Sequence, residues 1–168
     1  PDAVFGGETV GSESFNKAMR EARESDHVKA VVLRVNSPGG SASASDAMWR
    51  EISLTAAEKP LIVSMGDYAA SGGYWISTPA DTIVADPLTL TGSIGVFSVF
   101  FDASELLADK VGITHDFIRT SPYADMFSGL RSLSDQERAV LEASTEQTYQ
   151  AFLENVAQGR GISTAQAD

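Results

Sequence analysis

The stretch VKAVVLRVNSPGGSASASDAMWREISLTAAEKPLIVSMG, residues 28–66, decides the fold class. Its opening, VKAVVLRVN (28–36), is rich in β-branched side chains and nearly continuously apolar, the pattern of a strand covered on both faces. The turn SPGGS closes it, ASDAMWREISLTAAE (44–58) reads as a helix, and PLIVSMG (60–66) repeats the buried-strand signature. Strand, helix and strand in that order predict a parallel pair joined by a right-handed crossover, hence an α/β fold.

The same alternation extends in both directions. Upstream, SESFNKAMREARES (12–25) places Phe15, Ala18, Met19 and Ala22 at helical spacing with charges opposite them. Downstream, a short helix is predicted from Gly72 to Thr78, a brief strand at DTIVADP and another at SIGVFSVFF (93–101). ASELLADKVG (103–112) predicts a helix closed by Gly112, with Lys110 near its negative end, and ITHDFIRT predicts a strand. The segment SPYADMFSGLRSLS (121–134) is irregular. Ser134 and Glu137 form a capping-box pair that opens a long helix running to Gly161, and GISTAQAD reads as the cap and first turn of a further helix. Both ends read as cut from a longer chain.

Composition narrows the function classes. With 168 residues the chain is expected to form one domain, since domains typically run to about 100–150 residues. A formal net charge of -11 disfavours a nucleic-acid partner, because a phosphate backbone would be repelled. The absence of cysteine excludes disulfides, thiol nucleophiles and thiolate metal sites. His27 and His115 sit in unrelated segments, so no metal site or Ser-His pair is predicted, and no cofactor is expected.

Two glycine-bearing turns lie at the carboxyl ends of consecutive strands, NSPGGS after the first and DYAASGG after the second. In open α/β sheets that end is where sites form. Gly39 or Gly40 can expose a backbone N–H, and Gly72 offers another beside Ser71 at a helix start, an arrangement able to hold a developing oxyanion. From the residues alone, both turns read equally as tight packing. Asp67, Asp81 and Asp86 read as loop caps, Tyr74 and Trp75 as core, and His115 as structural. The apolar run from Val96 to Phe101 reads either as a groove border or as a buried strand. Glu105, Asp109 and Asp125 read as solvated surface.

The motifs AASGGYWIS and LTGSIGV, with VKAVVLRVNSPGGS before them, resemble the signal peptide peptidase A family, Ser-Lys peptidases of the Clp/crotonase-like fold with repeated ββα-type units. The likeness covers nearly the whole chain. It implies Ser71 as nucleophile, Gly39 and Gly72 lining the oxyanion hole, and Ser93 orienting a lysine base. It further implies an apolar, signal-peptide-like substrate, a homo-oligomer, and a membrane-anchored parent with its catalytic domain on the extracytoplasmic side.

One position departs from the family. Short members carry their lysine in the loop where this chain reads SPYADM, and the matching residue is Ala124. The lysines here are Lys17, Lys29, Lys59 and Lys110, each better read as solvated or dipole-compensating. Long members split the site between two halves, and this chain resembles the downstream, nucleophile-bearing one. The base is then expected from the upstream half. Two other readings stay open: a silent, partner-binding half, and a crotonase-type acyl-CoA enzyme.

Overall fold

The structure is a computed structural model that describes residues 9–168. The chain divides into two compact units, one reaching as far as Gly95 and including Tyr149–Asp168, the other Val96–Thr148. In chain order the first unit holds α1 (Ser12–Glu24), β1 (Val31–Ser37), α2 (Ala42–Ala56), β2 (Leu61–Ala70), α3 (Gly72–Trp75), β3 (Thr82–Val84) and β4 (Leu90–Gly92). A long helix, α4 (Asp135–Arg160), crosses the boundary at Thr148, and α5 (Thr164–Ala167) follows.

The predicted parallel α/β sheet with a crossover helix is present. β2 is its centre: β1 pairs along one side, β3 and β4 along the other, all parallel. Inward residues Val35, Leu61, Val63, Met65 and Ala69 meet Met19 of α1 and Met48 and Ile52 of α2. Each such side chain withdrawn from water contributes about 1.5–3 kcal/mol. The expectation that β1 is covered on both faces is corrected: Val32 is 68% exposed, with Ile62 and Val84 also exposed on the outward positions of β2 and β3. Both helices lie on the inward side.

Polar contacts fix α1 on this core. Arg23 and Arg20 reach the buried Glu51 of α2 at 2.9 and 3.2 Å. Burial pushes the Glu51 carboxyl up, but hydrogen bonds from Arg23 and Arg20 outweigh it and hold the group below the usual range. Lys59 Nζ donates to Ala22 O and Ser25 O at 2.8 and 2.6 Å, a cation on the carbonyl end of α1.

A second core gathers Trp75, Phe152, Leu153, Val156 and Ala167, with Trp75 and Phe152 stacked at 4.5 Å. It docks the last turns of α4 against the segment after α3. Gly159 makes the approach possible, because a Cβ there would lie 2.2 Å from the carbonyl oxygen of Thr78. Beside it, Arg160 Nη1 donates to Ala80 O at 2.9 Å. In an open helix Gly to Ala gains about 1 kcal/mol. Here Gly159→Ala is expected to lower the melting temperature, since a methyl forced against backbone costs about 1–3 kcal/mol and Thr78 has nowhere to swing. A rise in melting temperature would mean that the contact relaxes freely.

In the second unit the expected strands 93–101 and ITHDFIRT do not form. Neither segment pairs with a strand, and β-branched composition alone cannot satisfy a backbone ladder. Phe97, Val99 and Phe101 are exposed instead. The predicted helix at 103–112 is a π-helical turn, Leu106–Val111, closed as expected by Gly112 in the left-handed conformation (φ 74°). The Ser134–Glu137 capping box is present: Ser134 N–H donates to Glu137 Oε2 at 2.8 Å, and Glu137 N–H to Ser134 Oγ at 3.3 Å. Arg131 bridges Glu137 at 2.5 Å and Asp125 at 2.7 Å, and Arg119 reaches Asp125 at 2.9 Å.

This network gives the second unit an acid-sensitive anchor of its own. Arg131 above all, then the Ser134 N–H, hold the Glu137 carboxyl down at about 2, against 4.5 for a free Glu. Its contribution is complete above the unfolded-state value and is lost as pH falls from about 5 through about 2, because only the unfolded chain takes up the proton in that window. Protection of the 119–137 amides, taken as the exchange rate relative to the intrinsic rate at the same pH, is expected to fall on acidification, with Glu137→Gln flattening the dependence. An unchanged profile in that variant would assign the loss to another carboxylate.

Candidate active site

β2 ends at Ala70 and α3 begins at Gly72, which leaves Ser71 as the corner between them. Its backbone stands at φ 50°, ψ -121°, a conformation that L residues rarely adopt and that costs on the order of 1–3 kcal/mol. Two backbone bonds hold it there: Ser71 N–H donates to Gly92 O at 2.8 Å, and Ser71 O accepts from Trp75 N–H at 2.9 Å. The hydroxyl, half-buried, makes no hydrogen bond among the described residues.

The two glycine turns meet at this corner. A Cβ on Gly39 (φ 115°) would lie 2.8 Å from Ser71 Cβ and 3.0 Å from Gly72 N. On the other turn, a Cβ on Gly72 would lie 2.4 Å from Ser45 Oγ, and one on Gly73 would lie 2.6 Å from Ser37 O. Bare glycine backbone is therefore what lets the turns touch. Ser37 Oγ accepts the Gly39 N–H at 3.2 Å, so the donors without a protein partner are the N–H groups of Gly40 and Gly72. α2, capped by Ser41, starts directly after the turn and brings its positive end to the same place.

Ser93 joins the site through the sheet. β4 pairs Ala70 with Gly92, so Ser71 and Ser93 follow at the same level, and Ser93 shares the unusual backbone at φ 52°. Gly39, Ser71 and Gly72 are thus adjacent, and Ser93 follows Gly92 at the end of β4.

A model of peptidase family S49 matches residues 53–168, from the middle of α2 through the Ser71 corner to the end. The chain belongs to peptidase family S49. It is 45% identical over 99% of its length to Protease 4 of Salmonella typhi, and 43% identical over 96% to Protease 4 of Haemophilus influenzae. It is 42% identical over 93% to the chloroplastic serine protease SPPA of Arabidopsis thaliana. It spans only about a quarter of each of these relatives: 27%, 26% and 23%. A solved Acinetobacter baumannii structure of the enoyl-CoA hydratase/isomerase type covers 93% of this chain, and the chain covers 85% of it, at 19% identity and a TM-score of 0.40. The superposition decides nothing about function at that score.

Within this S49 chain no hydrogen bond or ion pair joins a lysine to Ser71 or Ser93 among the described residues. Lys59 is committed to the end of α1, and it precedes β2, whose ten residues span roughly 30 Å before Ser71 is reached. Lys29 likewise precedes β1, at the far end of the sheet. Lys110 lies in the second unit, in the last turn before Gly112. Asp86 serves as the predicted loop cap, accepting the Leu88 N–H at 2.9 Å, whereas Asp81 accepts the N–H of Leu61, twenty residues earlier at the start of β2, at 2.8 Å. Trp75 is core, whereas His115 is exposed with its ring tilted against Phe117. The resemblance implied Gly39 as the SPGG member of the oxyanion hole; its N–H is committed to Ser37 Oγ, so the uncommitted N–H of that turn is that of Gly40, and Asn36 was passed over, because both depend on the folded turn.

Proposed function

We propose that this chain is the nucleophile-bearing part of a serine endopeptidase whose lysine base comes from another part of the full-length protein. The observation that carries the proposal is Ser71 itself, a strained corner with an uncommitted hydroxyl pressed against a bare glycine turn. Such strain persists where surrounding structure over-determines it, and it clusters at functional sites.

In the proposed reaction the lysine amine takes the Ser71 Oγ proton as Oγ bonds to the scissile carbonyl carbon. The resulting oxyanion lies between the Gly72 and Gly40 N–H groups, with Gly39 giving the room. Collapse expels the amine, which takes the proton back from the lysine, and water then releases the acyl group from Ser71. A free lysine titrates near about 10.4 and must be brought down by roughly 3 units to act as base near neutrality, which a dry interface achieves. Ser93 would orient it. Apolar peptides such as signal-peptide remnants are the proposed substrates, and a membrane-anchored, extracytoplasmic homo-oligomer the proposed setting. Among the described residues, no helix is long and apolar enough to cross a membrane.

The test is hydrolysis of an apolar fluorogenic peptide by this chain alone and by the chain mixed with the upstream portion of its protein. Cleavage only on mixing is expected. Cleavage by the chain alone would sink the borrowed lysine, and none in either preparation would favour a silent, partner-binding half.

A further inference from the structure

The β1–β2 ladder contains a register jump just before the site. Val31 to Val35 pair in unbroken succession with Leu61 to Met65, but Ser37 pairs with Ala69, so β2 spends two more residues than β1 over the same rise. The surplus backbone, Gly66 to Tyr68, has no ladder partners in β1, and side chains bond it instead. Asn36 Oδ1 accepts the Tyr68 N–H at 3.1 Å, and Thr89 Oγ1 donates to Gly66 O at 2.8 Å. Arg34 Nη1 donates to Met65 O at 2.9 Å, at the last regular pair. Asn36 also lies over Gly66, where a Cβ would come within 2.6 Å of its Oδ1.

The jump decides which residues of the two turns face each other. Carried forward from Ser37 and Ala69, the pairing sets Gly39 level with Ser71, as their close approach confirms. Carried forward from Val35 and Met65 without the jump, Gly39 would be level with Ala69, and Ser71 would stand two residues past the turn, roughly 6–7 Å out of place. We propose that Asn36 is a positioning residue: its side-chain carbonyl replaces the missing ladder acceptor and holds the register in which the glycine turn meets the nucleophile. This rests on the peptidase reading of the same site.

Oxyanion donors act in the transition state, and a misplacement of about 1 Å can cost on the order of a hundredfold. In the full-length protein Asn36→Leu is therefore expected to lower kcat about 10–100-fold with KM within about threefold, and to speed exchange of the Tyr68 amide. Asn36→Asp keeps the acceptor and should keep kcat within about threefold of wild type, whereas Gly66→Ala should behave like Asn36→Leu by displacing the Asn36 side chain. Faster exchange at Tyr68 with unchanged kcat in Asn36→Leu would overturn the assignment, as would equal losses in the Asp and Leu variants. Should the wild-type protein hydrolyse nothing beyond its Ser71→Ala control, the peptidase reading fails, and the Gly39–Ser71 spacing in a crystal structure of Asn36→Leu then judges the register claim separately. Unchanged spacing would overturn it.

Discussion

Replacing Ser71 by alanine in the full-length protein is expected to abolish peptide hydrolysis, by at least about a thousandfold in kcat, while leaving the melting temperature unchanged. The magnitude follows from removing the atom that forms the covalent bond, a loss that residual binding and oxyanion contacts do not restore. Stability should not follow activity. Alanine occupies φ 50° with the same Cβ strain as serine, and the Ser71 hydroxyl gives up no hydrogen bond on deletion. Ser71→Gly separates the two quantities further. Glycine adopts this backbone without steric cost, so that variant should be equally inactive yet more stable by about 1 kcal/mol, net of the extra freedom glycine has when unfolded. Hydrolysis rates and melting curves for the three proteins check both statements. A Ser71→Ala enzyme retaining a tenth of wild-type kcat would remove Ser71 from the nucleophile role.

Gly39→Ala is expected to cost about 100–1000-fold in kcat, the range measured when one oxyanion donor is lost. The added Cβ would press on Ser71 Cβ, Gly72 N and Ala70 O at 2.8, 3.0 and 3.2 Å, and the φ of 115° is unfavourable for any side chain. None of those neighbours is the far end of a flexible side chain, so the turn itself must move, and with it the Gly40 N–H. Gly40→Ala is the informative contrast. A Cβ there meets nothing within 4 Å, so only the backbone strain of its φ of 159° remains, and a smaller loss than for Gly39→Ala is expected one residue away. Similar kcat values for the two variants would show that turn geometry, rather than contact with Ser71, controls the site. Substrate affinity should change less than kcat in Gly39→Ala, because the oxyanion forms only as the reaction proceeds.

What was legible in the sequence is local in origin. The crossover of residues 28–66 could be read because a β-branched run, a helical segment and a second run differ in side-chain period, and each pattern arises within a few residues. Caps were legible for the same reason: Ser134 with Glu137, and Gly112 after Lys110, satisfy helix ends through their immediate neighbours. The motif around Ser71 carried the family resemblance, and the S49 match bears it out. The strands expected at 93–101 and 113–120 failed because a strand needs a partner, which composition does not supply.

Tertiary structure alone decided the arrangement at the site. The positive φ of Ser71 and Ser93, both non-glycine, is imposed by the Gly92 carbonyl and the pairing of β2 with β4, across about twenty residues of chain. The commitment of the Gly39 N–H to Ser37, leaving that of Gly40 free, is a feature of the folded turn. The two-residue jump that levels Gly39 with Ser71 is a relation between strands thirty residues apart. Sequence by itself therefore determined the β1–α2–β2 crossover, the helix caps and the family, because those follow from short-range periodicity and motif. Only the fold decided which turn residue faces which, because register is set by hydrogen bonds between segments that are distant along the chain.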